Sequence, residues 1–268
     1  MKPFLLFAVG VSACAQSLPL EPTHESGANI TGAFEGWFKN PDGSFNLLLG
    51  YFNRNTKQEL DVPIGPNNRI EPGGPDRGQP THFLAGRQWG LFVVKVPSDF
   101  GSNKLTWTLT ANGKTATIPA SLLPDYEISP LKEVAVGNTP PVLRFDGQGS
   151  SVQGPQGLFV DRTVTLANPL TLTAWVTDDA KFTSSSNNRP KNLGPPVTLR
   201  WTKYRGPGTI TFAKVRPPVE NGSATTTARF SEPGDYVLHL LVNDYSGEGG
   251  GGFQCCWTNG QVRVTVKP

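Results

Sequence analysis

VTLRWTKYRGPGTITF, from Val197 to Phe212, and ARFSEPGDYVLHLLVNDYSG, from Ala228 to Gly247, decide the fold of the chain. In the first stretch apolar and polar side chains alternate from Val197 to Tyr204, the period of a strand with one buried face. Gly206-Pro207-Gly208 ends it, because proline presets φ and glycine accepts the backbone angles of a turn. Thr209 to Ala213 then resumes as a short strand. In the second stretch Glu232-Pro233-Gly234-Asp235 is a turn that leads into Tyr236 to Val242, a run of strong β-formers. Just upstream, Leu170, Leu172, Ala174 and Val176 alternate with Thr171, Thr173, Trp175 and Thr177. Ser223 to Phe230 and the alternating Val262 to Val266 complete a set of short strands, joined by Val142 to Phe145 and Leu158 to Leu166. A long polar insertion, Ala180 to Pro196, and a glycine-rich tip, Ser246 to Gly252, interrupt them.

The same grammar extends toward the N-terminus. Ile30 to Phe38 and Phe45 to Phe52 flank the turn Asn40-Pro41-Asp42-Gly43. Gln88 to Val96 is rich in β-formers, and Leu105 to Thr110 alternates before the hairpin signal Asn112-Gly113 and the return strand Thr115 to Ile118. Glu59 to Ile64 reads as a short strand, and Gly65 to Pro80, with its prolines and glycines, as an irregular loop. No segment combines capping residues with a 3.6-residue period. Such a set of short strands suggests a sandwich or a barrel; together with the resemblance given below, the expectation is an all-β protein of two immunoglobulin-like antiparallel β-sandwich domains in tandem. The organisation is a signal peptide over 1–15, a linker over 16–28, an N-terminal sandwich over 29–128, a Pro-rich connector over 129–141 and a second sandwich over 142–268. The length of 268 residues accommodates two such domains, and 37% hydrophobic residues suffice for a core without a cofactor.

The C-terminal half resembles the PKD-like group of immunoglobulin-fold domains, which are common in bacterial exported and surface proteins. Trp201, Gly206 to Gly208, Phe230, Pro233, Gly234, Tyr236 and Asp244 carry the resemblance, with LTLTAWVTDD (Leu170 to Asp179) as the preceding strand. It covers Asn138 to Pro268 and implies the fold rather than an activity. Structural roles follow for Trp201 as an anchor between sheets and for Gly206 and Gly208 in the turn. Pro233 and Gly234 form a corner from which Tyr236 bonds back to the backbone. The N-terminal half resembles bacterial β-sandwich domains of unknown function.

Lys2, the apolar run Pro3 to Val11 and Ala13-Cys14-Ala15 form a secretory leader, too short to span a bilayer. Val11-Ser12-Ala13-Cys14 also resembles a lipobox, which would lipidate Cys14 and give a lipid anchor. Either reading exports the chain, to the periplasm, the extracellular space or the outer membrane as a lipoprotein. Beyond the leader, only Cys255 and Cys256 remain. Adjacent cysteines admit two free thiols or a vicinal disulfide.

Charged residues are 17% of the chain, with a net charge of +3 and scattered lysines and arginines, so no phosphate-tracking stripe appears and nucleic acid is set aside. No nucleophile elbow, zincin helix or P-loop occurs. Of the three histidines, His24 lies in the linker, His239 sits between leucines in a strand, and His82 is the one near a surface loop. No catalytic residue and no metal set is assigned. Asp178, Asp179 and Asp244 each follow a strand and are the weak candidates for calcium, a hard cation that takes oxygen ligands. The aromatics Phe34, Trp37, Phe38, Phe45, Tyr51 and Phe52 read as core. The functional expectation is a non-catalytic envelope or extracellular interaction or spacer module with an unknown protein or glycan partner. The alternatives are a carbohydrate-binding protein and a secreted hydrolase with an unfamiliar site.

Overall fold

The computed structural model describes residues 24–134, 136–181, 194–245 and 255–268. The leader with Cys14, most of the 180–196 insertion and the glycine-rich tip lie outside the described residues. Among the described residues every regular element except a 3-10 turn at Pro124–Tyr126 is a strand.

In the N-terminal half β1 (Ile30–Lys39), β2 (Phe45–Asn53) and β6 (Gly86–Val96) form one antiparallel sheet in the order β1-β2-β6. A second sheet is ordered β4 (Asn68–Glu71), β7 (Lys104–Ala111), β8 (Lys114–Ser121), and the short strands β3 (Leu60–Asp61) and β5 (His82–Phe83) pair with each other. Ala111 faces Lys114 across the hairpin, so Asn112 and Gly113 are its whole loop, both at positive φ. That is the turn whose twist matches the flanking strands. Between the sheets lie Ile30, Leu47, Leu49, Tyr51, Phe83 and Trp107, each no more than 2% exposed. The aromatic edges of Tyr51 on Phe83 and of Phe92 on Trp107 fix the packing.

The C-terminal half consists of two four-stranded sheets. One is ordered β10 (Leu158–Thr165), β16 (Trp257–Lys267), β15 (Gly234–Asn243), β12 (Thr198–Arg205). The other is ordered β13 (Ile210–Phe212), β14 (Ser223–Phe230), β11 (Leu170–Thr177), β9 (Val142–Arg144). Trp201 is buried between them against Phe145 and Phe212. Tyr236 donates its hydroxyl to the Glu232 carbonyl at 2.8 Å across the Pro233-Gly234 corner, the tyrosine-corner arrangement of immunoglobulin-like sandwiches. A side chain at Gly206 would collide with the Tyr236 ring, and Gly206 also sits at φ +124, so the turn admits only glycine. Gly208 also has positive φ in this turn, and Gly234 lies against Pro207.

Five expectations need correction. The stretch 65–80 is not wholly irregular, because β4 lies within it. Asn68 supplies what its short length lacks: fully buried, it donates to the carbonyls of Val62 and Pro80 and accepts from the Trp107 indole. The strand at 59–64 shrinks to Leu60–Asp61. The last strand begins at Trp257, not Val262, since Trp257 to Val262 are buried on both faces and show no alternation. The second sandwich is not purely antiparallel: β10 runs parallel to β16, a pairing open to strands far apart in sequence that no hairpin joins. Phe52 also leaves the core, 38% exposed beneath the Arg54 guanidinium.

Candidate functional site

The two halves meet along β12, β15 and the start of β16. β12 presents its polar and aromatic side chains to the 76–90 segment of the N-terminal half. Tyr204 packs into the N-terminal core and donates to the Gly78 carbonyl at 2.6 Å, while its own carbonyl accepts from the Thr81 amide. Arg205 makes a bidentate pair with Asp76 at 2.8 and 2.9 Å and donates again to the Gln79 carbonyl. Such paired guanidinium–carboxylate geometry fixes orientation as well as charge. Arg200 bonds Gln88 and Lys203 pairs with Asp61.

Beside this polar seam lies an apolar one. Phe38, Leu48 and Ile128 from the N-terminal side bury Leu241 and Trp257 from the other. The Trp257 indole donates to the Gly90 carbonyl at 3.2 Å, and a Cβ on Gly90 would overlap the ring. Asn259, 2% exposed, donates its amide to the carbonyls of Gly90, Leu91 and Pro155, and its Oδ1 accepts from His239 Nε2 at 3.2 Å. His239 is buried, and desolvation pulls its pKa down to about 4, with the Arg200 charge acting in the same direction. It is therefore neutral at pH 7, a packed partner of Tyr204.

A cleft of about 530 Å³ opens on one flank of this junction. His82 lies there in β5 rather than on a loop, with an 11% exposed side chain. Its Nδ1 contacts Asp61 at 2.9 Å and its Nε2 contacts Glu59 at 3.1 Å. Both ring nitrogens are thus engaged by carboxylates, which leaves neither placed to take a proton from a nucleophile. The imidazole also fills the space between the two acids, where a hydrolysed glycosidic bond would have to lie. Trp201 lines the same cleft, and its indole N–H has no acceptor among the described residues.

The second candidate lies at the end of the C-terminal sandwich beside the connector. Asp178 follows β11 and Asp244 follows β15, so the two facing sheets each deliver one carboxylate to the same rim. Asn138, in the connector and fully buried, donates its amide to Asp244 at 2.7 Å. The Oδ1 atoms of Asn138 and Asp178 are buried and have no hydrogen-bond partner among the described residues. Burial raises the Asp178 pKa to about 6, and the charges of Asp244 and Asp179 push it the same way. Asp179 is spent differently: Thr139 donates to it through backbone and hydroxyl, and the Lys181 amide closes its turn. The three aspartates named from the sequence therefore split into a facing pair and a turn cap. Among the described residues no three His, Cys, Asp or Glu side chains converge as a metal set. The oxygen that sequence reasoning missed is Asn138; its signal was its place at the connector's last turn before Thr139-Pro140-Pro141. Cys255 and Cys256 are joined as a vicinal disulfide, both buried, and the Cys256 carbonyl meets the Asp244 amide.

No protein-family model and no curated protein matches the chain. Among solved structures it is similar to the D00-D0 domain of Intimin, with 13% identity over 88% of this chain and 99% of that one and a TM-score of 0.27. It is also similar to S-layer protein SbsC domains 4 and 5 (11%, 90% of this chain and 98% of that one, 0.25). A third is Yersinia pseudotuberculosis adhesin InvE (12%, 90% and 60%, 0.26). With identities and TM-scores this low, the immunoglobulin-like architecture rests on the sheets and the tyrosine corner of this chain itself.

Proposed function

We propose that this protein is an exported, non-catalytic interaction or spacer module of the bacterial envelope or extracellular space, built as two sandwiches clamped into one rigid unit. The observation that carries this is the junction, where Tyr204, Arg205, Trp257 and Asn259 tie the halves through buried side chains and backbone carbonyls. A spacer that transmits position needs such a joint, whereas independent domains on a linker present smaller and more polar contacts. The doubly engaged His82 supports a non-catalytic role. Scanning calorimetry of the mature chain tests the reading: one transition with equal calorimetric and van't Hoff enthalpies is expected. Two separable transitions would overturn it.

A second reading concerns calcium. The buried, unpartnered oxygens of Asn138 and Asp178 beside Asp244 suit a hard cation, with two carboxylates and one amide oxygen as the protein's share of its ligands. Calcium at this rim would brace the end of the sandwich and relieve the Asp178–Asp244 repulsion. A rise in melting midpoint with millimolar calcium, reversed by chelator and absent in Asp244→Asn, is expected. An unchanged midpoint removes the reading.

A further inference from the structure

We propose that a second cleft at the junction, on the flank away from His82, binds a saccharide bearing a carboxylate, such as a uronic-acid oligomer. The cleft encloses about 480 Å³, the scale of one or two sugar rings. Each half contributes two cations to its wall: Arg77 and Lys95 from one, Arg205 and Arg263 from the other. No Asp or Glu is among the described residues that line it. The acids that pair with Lys95, Arg205 and Arg263 stand outside the wall, at Asp42, Asp76 and Asp161. Arg77 has no such partner among the described residues; its guanidinium donates to the carbonyls of Pro72 and Lys95. The wall is therefore positive with one guanidinium uncompensated, and a planar carboxylate is the group a guanidinium binds best.

The rest of the lining selects the body of the ligand. Gln156 is exposed and brings a side-chain amide, which both donates and accepts and so matches hydroxyl groups, while the amides of Asn40 and Asn46 bond each other and Ser44 and stiffen the wall. Phe159, 52% exposed on the β10 strand, supplies an aromatic ring at the wall, with Arg263 6.0 Å from its centroid. Aromatic faces pack against the apolar C–H faces of sugar rings. A polyanion such as nucleic acid would need cations along a track, and these four converge on one hollow. An acidic peptide would use the charges but not the combination of amide and ring.

The inference goes beyond the spacer reading and rests on its rigid junction, since both halves build the wall. Isothermal titration of the mature chain with trigalacturonate tests it, alongside neutral cellotriose, hexaglutamate and inorganic phosphate. Saturable binding of trigalacturonate is expected, with cellotriose at least about tenfold weaker. Arg77→Gln and Phe159→Ala should each weaken trigalacturonate by at least about tenfold with an unchanged unfolding midpoint, and added salt should weaken it further. Equal binding of cellotriose, equal or tighter binding of hexaglutamate or phosphate, unaffected variants, or no binding would each overturn the assignment. Calorimetric unfolding of the same sample separates the two ideas. One transition without binding removes the saccharide alone, and two transitions remove the rigid joint and the cleft with it.

Discussion

The junction and the connector-side rim of the C-terminal sandwich use the same residue types to opposite ends. At the junction, Asn259 and Trp257 are answered by the protein: Asn259 reaches three carbonyls, and Trp257 has both an apolar bed and an acceptor. At the rim, Asn138 and Asp178 each leave a buried oxygen without a partner among the described residues, beside the Asp244 carboxylate. A buried polar atom that is satisfied stabilises one arrangement, and one that is not carries a desolvation cost until something binds it. The first region is therefore a joint, and the second is a place where stability waits on a ligand or on a change of charge.

The contrast breaks most visibly at Trp257. Its ring is 3% exposed and fills the space that a side chain at Gly90 would otherwise occupy. Trp257→Ala should cost about 3–5 kcal/mol, the range for emptying a large aromatic site. Denaturant unfolding measures it. A loss confined to one of two separate transitions, or below about 1 kcal/mol, would show that the joint does not share in the cooperative core.

His239 sharpens the same side. Its folded pKa, about 4, lies below the ordinary value of 6.5, so the unfolded chain binds the proton more readily. Stability from the neutral ring is complete above pH 6.5 and is lost as pH falls from there toward 4, by roughly 3 kcal/mol. The carboxylates with raised pKa, Asp178 and Glu35, act in the opposite direction over an overlapping range. The informative quantity is therefore a difference between proteins. Unfolding free energy measured at pH 7 and pH 4.5 should fall less in His239→Asn than in the unmodified chain. Equal falls in the two would mean that the imidazole titrates freely.

Much of this was legible in the sequence where one face of a strand is buried and the other wet. Leu170 to Thr177 and Val197 to Tyr204 alternate, and the structure makes them β11 and β12. Legibility stopped where burial became two-sided, at Trp257 to Val262, and where a side chain rather than a ladder holds a strand, at Asn68. The joint was hidden for a related reason. Phe38, Leu48 and Leu241 read as core in either case, and nothing local distinguishes packing within a half from packing between halves. At the rim the pattern offered three acidic residues of equal standing. Only the fold separates Asp179, capped by Thr139, from Asp178 and Asp244, and only the fold brings Asn138 to them.

The smallest effect has the opposite sign. Asp178 has a folded pKa of about 6 against an ordinary 3.8, so its charge opposes folding above pH 6, and that penalty fades as pH falls toward 4. The side chain is only partly buried, and solvent screening reduces the penalty to about 1 kcal/mol. Asp178→Asn should therefore stabilise the chain at pH 7 without calcium by about that amount, since an amide oxygen can still accept from the Ala180 amide. With calcium the order should reverse. The unmodified chain gains the binding free energy of the ion, and the variant, short of one carboxylate, gains less. Melting curves of both proteins with chelator and with millimolar calcium decide between two accounts of the rim. Crossing curves identify an ion site, and parallel curves leave only repulsion between Asp178 and Asp244 that the fold tolerates.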